Sequence, residues 1–196
     1  FPMTVRAFLL SAALASAPFA ATAADWTLDK SHTTVSFEVN HLGFSQTRGV
    51  FREFDAEISY DPEAIEASTV SFTIDAASID TFWEARDNHV RGEDFLDVAN
   101  HPEITFVSTG VTAIDEDSAT LTGDLTIKGV TQPVTFAAEL NAAGPNPFDA
   151  TKQVAGFQLT GEIDRTAFGI NYGAPAIGAV IPVVIDLEIG AEASDT

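Results

Sequence analysis

The sequence predicts an all-β protein, an eight-stranded antiparallel barrel with one short helix between its third and fourth strands. Two observations carry this prediction. Apolar and polar residues alternate along eight segments, which is the period of a half-buried β-strand. Turn-forming residues separate these segments, as in DPEA at 61–64 and DEDS at 115–118. Closure into a barrel removes the exposed edges that an open sheet would leave.

The first three predicted strands each have one apolar face. A β-bulge is expected near Arg52 in the second strand, because Phe51 interrupts the alternation there. The residues on these faces are, strand by strand, Val35, Phe37, Val39 and His41; Val50, Phe54, Ala56, Ile58 and Tyr60; and Val70, Phe72 and Ile74.

Five further strands follow the helix. Turns are expected at 128–133 and 142–149, where KGVTQP and AAGPNPFD are rich in Gly, Pro and Asn. The apolar faces of these strands carry Ile104 and Phe106; Leu121, Leu125 and Ile127; Val134, Phe136, Ala138 and Leu140; Phe157, Leu159 and Ile163; and Ala179, Ile181, Val183, Ile185, Leu187 and Ile189.

The chain has 15 Phe and only 2 Tyr, so its aromatic residues offer large apolar area without polar groups that need partners. An eight-stranded barrel either fills with side chains or holds one small ligand. A packed core and an apolar cavity both fit this composition. If a tunnel is present, alternation predicts that it is lined by Phe37, Val39, Phe54, Phe72, Phe106, Leu125, Phe136, Phe157, Val183 and Ile185.

The segment FWEARDNHVR at 82–91 predicts the helix, because it contains neither Gly nor Pro and Gly92 follows it. On a barrel, such a helix is either a plug that seals the core or a lid at the entrance of a ligand site. In the second case Arg86 and His89 would be polar contacts for the ligand.

An amphiphile in an apolar tunnel leaves its polar head at one end, where an unpaired polar group would be costly. Arg86 is the expected partner of an anionic head because its charge persists at any physiological pH. His41, on the inward face of the first strand, is a second candidate. The alternative for Arg86 is a structural ion pair with Glu84, Asp87 or Asp94.

Residues 1–23 are expected to be a secretory signal peptide. Arg6 precedes an apolar run from Ala7 to Ala17, and the small residues of ATA at 21–23 predict cleavage before Ala24. The alternative is a membrane anchor, for which the apolar run is too short. We therefore expect an exported protein that does not span a membrane, with one barrel domain over 24–196.

Composition and spacing exclude several kinds of function. The formal net charge of −20 disfavours nucleic-acid binding, and the absence of Cys excludes thiol chemistry. His32, His41, His89 and His101 follow no metal-ligand spacing, so no metal site or cofactor is expected. No G-x-S-x-G motif is present, and no catalytic residue is predicted.

The mature chain resembles the YceI family of exported lipid-binding proteins along its whole length. The resemblance rests on four segments in order, DKSHTTVSFEVNHLGFSQTRGVFREFDAEISYD at 29–61, SIDTFWEARDNHVRGEDFLDVANHPEITFVST at 78–109, LTGDLTIKGVTQPVTF at 121–136 and GFQLTGEIDRTAFGI at 156–170. Val90 and Gly92 replace the Leu and Ser usual in the family, and His101 stands where an aromatic residue is often found.

The resemblance implies a lipocalin-like barrel whose tunnel holds a long amphiphile, such as a prenyl quinone, a prenyl pyrophosphate or a fatty amide. A periplasmic carrier is the leading hypothesis, and a homodimer remains open. The alternatives are an enzyme acting on the same lipid class and a stress-related protein with incidental lipid. Besides the predicted tunnel residues, His41, Phe44, Phe82, Trp83, Arg86 and His89 are candidate ligand contacts.

Overall fold

A computed structural model describes residues 24–192. Its strands are β1 (Ala24–Leu28), β2 (Thr34–His41), β3 (Ser45–Phe51), β4 (Phe54–Tyr60), β5 (Thr69–Asp75), β6 (Ile79–Asp80), β7 (Glu103–Ala113), β8 (Ser118–Ile127), β9 (Val130–Asn146), β10 (Asp149–Asp164) and β11 (Val180–Glu192). The helix is α1 (Glu84–Arg91), and 3-10 turns span Ile65–Ala67, Ala76–Ser78 and Arg165–Phe168. The predicted signal peptide at 1–23 lies outside the described residues.

Eight strands close into an antiparallel barrel in the circular order β1, β4, β5, β7, β8, β9, β10, β11. Strand β11 closes the ring, because it pairs with β10 along its length and with β1 at Ile189 and Gly190. At residues 183–186, nearer its beginning, β11 pairs instead with β2. Strand β2 pairs in turn with β3, and β3 pairs with β6. The position in the wall beside β11 is therefore shared by β1 and β2, and the next position is shared by β4 and β3. The predicted all-β, eight-stranded antiparallel barrel is confirmed.

The prediction of one bulged strand over 50–60 is wrong. Arg52 and Glu53 separate β3 from β4, and the two strands take different partners: β3 pairs with β2 and β6, whereas β4 pairs with β1 and β5. The Arg52 guanidinium pairs with the Asp80 carboxylate at 2.6 Å and fixes the chain at this break. The alternation does not reveal β1, because five residues are too few to establish a period.

The turn predictions at 128–133 and 142–149 are too long, since β9 runs through most of both segments. Proline removes a ladder donor and is tolerated only where a strand lacks a partner on one side. At Pro133, β9 pairs with β8 but not with β10, and at Pro145 it pairs with β10 but not with β8. Each proline therefore falls where only one neighbouring strand is present.

The helix lies between β6 and β7, as predicted, but it begins at Glu84 instead of residue 82. Phe82 has a φ of 66°, in the left-handed region, and Trp83 is extended, so neither residue can belong to the first turn. The amide of Gly92 donates to the His89 carbonyl at 3.0 Å and ends the helix. None of the described helices is long and apolar enough to cross a membrane.

The two ends of the barrel differ in content. We call the end that carries α1, the β2–β3 turn and the 169–178 loop the mouth, and the opposite end, with the β9–β10 turn, the far end. At the far end, Trp26, Tyr60 and Phe157 form an aromatic cluster, with ring centroids 5.4 Å apart for Trp26–Tyr60 and 5.1 Å for Tyr60–Phe157. Leu28 and Ile189 are buried at the same end, which is therefore packed.

Candidate functional site

From its mouth inward, the barrel encloses a cavity of about 500 Å³. Sites for small ligands typically measure about 300–1,000 Å³ and are lined mainly by apolar side chains. Strands β2, β3 and β5 to β11 all contribute to this wall, mostly with aliphatic and phenylalanine side chains. The barrel is therefore hollow from its mouth to the level of Leu187, which pairs with Phe157 of the far-end cluster.

Most of the predicted ligand-contact residues line this cavity. They project from alternate positions of their strands, as period-two patterning predicts. The helix adds two more, one turn apart. The predicted residues found on the cavity wall are Phe37, Val39, His41, Phe72, Arg86, His89, Phe106, Leu125, Phe136, Val183 and Ile185.

Three wall phenylalanines each lie against a glycine of the neighbouring strand. A Cβ atom at that glycine would come within 3.0 Å of the ring, a separation that real Cβ atoms essentially never show. The flat ring therefore occupies the space that a side chain would need, and it lies along the wall instead of across the lumen. The wall phenylalanines and their glycines are Phe37 with Gly49, Phe106 with Gly123 and Phe136 with Gly161.

The mouth is formed by the β2–β3 turn, α1 and the 169–178 loop. The loop is bonded to the turn through its backbone: the Leu42 amide donates to the Ala176 carbonyl at 3.0 Å, and the Gly178 amide donates to the Asn40 carbonyl at 2.8 Å. His41 forms an isolated β-bridge with Ile177 between them. Residues distant in sequence thus share one rim around the cavity entrance.

Arg86 is held at the rim by its own segment. Its Nε donates to the Thr81 hydroxyl at 2.7 Å, its Nη2 donates to the Thr81 carbonyl at 2.6 Å, and the guanidinium carbon lies 5.5 Å from the centroid of the Trp83 ring. Among the described residues, no carboxylate lies within ion-pair distance of Arg86. The alternative of a structural ion pair with Glu84, Asp87 or Asp94 is therefore wrong, and the charge of Arg86 is available at the cavity wall.

An aromatic group stands beside Arg86. The His89 ring meets Phe95 and Tyr172 edge-on, with centroid separations of 5.1 and 4.9 Å, and its Nε2 lies 3.2 Å from the Asp94 carboxylate. Tyr172 belongs to the 169–178 loop, so this contact joins the helix to the loop across the mouth. The position and orientation of His89 are thereby fixed by packing on two sides.

Arg165 is buried beneath the loop and donates only to backbone carbonyls. Its guanidinium reaches the carbonyl oxygens of Ile170, Tyr172, Ile177 and Gly178, all at 2.8 or 2.9 Å. Burial lowers the pKa of Arg165 from its ordinary value, yet guanidinium remains charged at physiological pH. One buried cation therefore holds the loop in place.

The electrostatics of the cavity differ from those of the whole chain. Although the chain carries a formal net charge of −20, none of the described residues that line the cavity is Asp or Glu. The charged and titratable groups on the wall are Arg86, Arg165, His41, His89 and Tyr172. The cavity is thus apolar along its length and electropositive at its mouth.

Three predicted contacts lie outside the cavity because local backbone turns direct them to the surface. Leu42 and Gly43 both have positive φ, so the β2–β3 turn places Phe44 at its tip, where it is 89% exposed. Phe82 follows the break after β6 and is also exposed. Trp83 lines a shallow outer cleft beside α1.

Two other predicted contacts are in the barrel but not on the cavity wall. Phe54 is buried and stacks on Phe72 with ring centroids 5.6 Å apart, so Phe72 and not Phe54 faces the lumen. Phe157 belongs to the far-end aromatic cluster, where Tyr60 covers it. Alternation identifies the inward face of a strand but not the depth at which the cavity ends.

The sequence analysis missed the cavity-lining residues that lie in loops outside the strands. Phe95 and Leu96 follow the helix, and Ile170, Tyr172 and Ile177 lie in the 169–178 loop. No period-two signal exists in such segments. The only available signal was Arg165, one of few cations in an acidic chain and placed directly before this loop.

The geometry shows no nucleophile–base–acid relay at the Ser31–His32 pair. The Ser31 hydroxyl and the Asp29 carboxylate both contact the same ring nitrogen, His32 Nδ1, at 3.2 and 2.8 Å. In a catalytic triad the nucleophile and the acid contact opposite ring nitrogens. This pair is also absent from the cavity wall.

The closed antiparallel barrel with an apolar cavity and a helix at its mouth defines a class of protein, the lipocalin-like barrels. Within that class, the chain belongs to the YceI-like domain family, whose model matches residues 26–193. The resemblance inferred from the sequence is confirmed.

Individual relatives agree with this assignment. A UPF0312 protein of Vibrio cholerae is 42% identical over 162 residues, which cover 82% of this chain and 85% of the relative. The crystal structure of a Campylobacter jejuni YCEI protein is 32% identical, with a TM-score of 0.71 and coverage of 86% of this chain and 98% of that one. A polyisoprenoid binding domain from Saccharophagus degradans has a TM-score of 0.66 at 17% identity, covering 89% of this chain and all of that one, and shares the fold.

Proposed function

We propose that this protein is an exported, periplasmic carrier that holds a long isoprenoid-type amphiphile in the cavity. The prenyl tail lies between the wall phenylalanines, and the polar head lies at the mouth beside Arg86. The observation that carries the proposal is the contrast between an acidic chain and a cavity without any described carboxylate on its wall. Such a wall accepts an apolar chain and disfavours a cationic head.

The head-group class follows from the donors at the mouth. Arg86 has already used Nε and Nη2 on Thr81, so its Nη1 edge is the part available to a ligand. His41 and His89 stand at the same entrance. A pyrophosphate or a quinone oxygen accepts hydrogen bonds from these groups, which supports prenyl pyrophosphates and prenyl quinones as the ligand class.

One structural neighbour supports the same ligand class. The Saccharophagus degradans domain is described as polyisoprenoid binding, and this chain shares its fold. A carrier needs only an apolar wall and a polar anchor, and both are present. An enzyme acting on the same lipid would need titratable groups that converge on a reacting atom.

The Arg86→Ala variant tests the anchor. Loss of a charge-assisted hydrogen bond weakens ligand binding by about 1.5–3 kcal/mol, roughly tenfold to a hundredfold. We expect protein purified from its exporting host to lose most co-purified lipid, measured by organic extraction and mass spectrometry per mole of protein, while it still melts cooperatively. Arg48→Ala is the matched control, because Arg48 is exposed and pairs with Glu38 on the surface.

Two outcomes would overturn the role of Arg86: full lipid content in the variant, or loss of the cooperative melt, which would show that Arg86 holds the Thr81 segment instead of the head. Recovery of a chemically converted lipid from an added precursor would favour the enzyme alternative. Export is tested separately, by mass spectrometry of the periplasmic protein, which is expected to begin at Ala24.

A further inference from the structure

A second cluster of polar groups lies on the outer surface of the barrel, away from the cavity. Asp29 and His32 belong to the turn between β1 and β2, and Glu188 belongs to β11. The backbone fixes the two elements against each other: the Asp29 amide donates to the Glu188 carbonyl at 2.9 Å, and the Glu188 amide donates to the Thr33 hydroxyl at 3.3 Å. The three side chains therefore project from adjacent positions on a part of the barrel that these hydrogen bonds hold rigid.

The side-chain atoms of this cluster are a set of metal ligands. One His nitrogen, one Asp oxygen and one Glu oxygen lie within 4.8 Å of one another, and His32 Nδ1 is 2.8 Å from Asp29 Oδ2. Within residues 24–192 this is the one group of three such side chains that meets this distance. The pairs His89–Asp94 and His101–Asp97 each lack a third ligand.

In the described residues, no Lys or Arg neutralises the carboxylates at this position. Lys30, the nearest cation in sequence, pairs with Asp55 at 2.9 Å instead of with Asp29. In the described part of the chain, neither carboxylate of the cluster has a Lys or Arg within ion-pair distance, and His32 is the only ionic partner of Asp29.

We propose that Asp29, His32 and Glu188 bind one divalent transition-metal ion of the Zn²⁺ type. Imidazole nitrogen with carboxylate oxygen is a donor set that suits zinc and its neighbours, and three protein ligands leave a fourth position for water. The ion fastens the turn between β1 and β2 to β11, where the chain passes from one half of the barrel wall to the other. This site is independent of the cavity and of its ligand.

The geometry needs only a small adjustment to admit the ion. A zinc ion about 2.1 Å from each ligand in tetrahedral geometry places the ligand atoms about 3.4 Å apart. In the structure His32 Nδ1 and Asp29 Oδ2 are 2.8 Å apart, and the three ligand atoms all lie within 4.8 Å of one another. The His32 side chain is 65% exposed, so its ring can turn toward the ion without displacing buried groups.

The test is titration of the full chain with Zn²⁺ by calorimetry, and with Co²⁺ by its visible absorption. We expect one saturable ion per chain and a rise in Tm of about 5 °C at a hundredfold excess over Kd. Glu188→Gln, which preserves side-chain shape, and His32→Gln, which replaces the ring with an uncharged amide of similar size, should each weaken binding by at least about tenfold. His101→Gln, which changes a histidine that has only one carboxylate partner, is the matched control and should leave binding unchanged.

Several results would overturn the site. One is the absence of saturable binding of one ion per chain. Another is equal affinity in the wild type and both ligand variants, because the ion would then be held by the acidic surface in general. Loss of binding in the His101→Gln control would have the same meaning. If one ligand variant fails to fold, the other decides the outcome.

Discussion

At the far end of the barrel, aromatic rings fill the lumen, whereas nearer the mouth the wall phenylalanines lie over glycines of the neighbouring strands and leave the lumen open. The far-end cluster fills its part of the lumen, and its rings meet nearly edge-on. The wall phenylalanines lie over Gly49, Gly123 and Gly161 and leave about 500 Å³ open between them. The same residue type therefore fills or lines a barrel according to the residue beside it on the next strand.

The most direct test of this difference in packing is to truncate one aromatic ring at the far end and one on the cavity wall. Tyr60→Ala is expected to lower the free energy of unfolding by about 3–5 kcal/mol, because a fully packed ring is lost. Phe37→Ala is expected to cost only about 1–2 kcal/mol, because one side of that ring faces the cavity and has fewer contacts to lose. Urea denaturation of both variants measures the difference. Equal losses would mean that the cavity wall is as tightly packed as the far end.

A smaller effect is expected from the glycine that supports one wall ring. In Gly49→Ala the added methyl group collides with the Phe37 ring and forces it toward the lumen, at a cost of about 1–3 kcal/mol and with reduced lipid content. Gly190→Ala is the control, since its Cβ would meet nothing closer than 3.7 Å, and its effect should stay below about 0.5 kcal/mol. If both variants behave alike, the glycines do not determine the shape of the cavity.

The smallest effect is confined to alkaline pH. Burial, and to a lesser degree Asp61, raise the pKa of Tyr60 above its ordinary value of 10.0, so the unfolded chain loses this proton first as the pH rises. The free energy of unfolding should therefore be unaffected below pH 10 and should fall from there through the folded-state pKa. Tyr60→Phe removes this part of the decline, and the exposed Tyr172 provides the control variant Tyr172→Phe. The measurement is urea denaturation at pH 8 and pH 11.

The inward faces of the strands could be predicted because alternation is a property of each strand alone. Phe72, Phe106 and Val183 are on the cavity wall for that reason. The position of Phe157 could not be predicted, because its ring is covered by Tyr60 from another strand. Which part of a lumen is hollow depends on contacts between strands, and a single sequence does not encode those contacts as a pattern.

Two other features lie beyond sequence patterning for related reasons. The break at Arg52 and Glu53 follows from two halves of one predicted strand taking different partners, which alternation within the strand cannot reveal. In the cluster of Asp29, His32 and Glu188, the third residue is far from the other two in the chain, so no ligand-spacing motif predicts the cluster. Both features lie where β11 changes its partner, from β2 at residues 183–186 to β1 at residues 189–190.

The way Arg165 holds the 169–178 loop determines which side chains at the entrance can be substituted. Its four acceptors are backbone carbonyls, which every amino acid supplies, so the anchor places no demand on the side chains of the loop. Tyr172 and Ile177 reach the cavity from the same loop, and substitution of either leaves the four carbonyl acceptors of Arg165 in place, while replacement of Tyr172 removes only its contacts with His89 and Phe95. The entrance is therefore a position where the lining of the cavity can change through substitution while the barrel beneath it stays as it is.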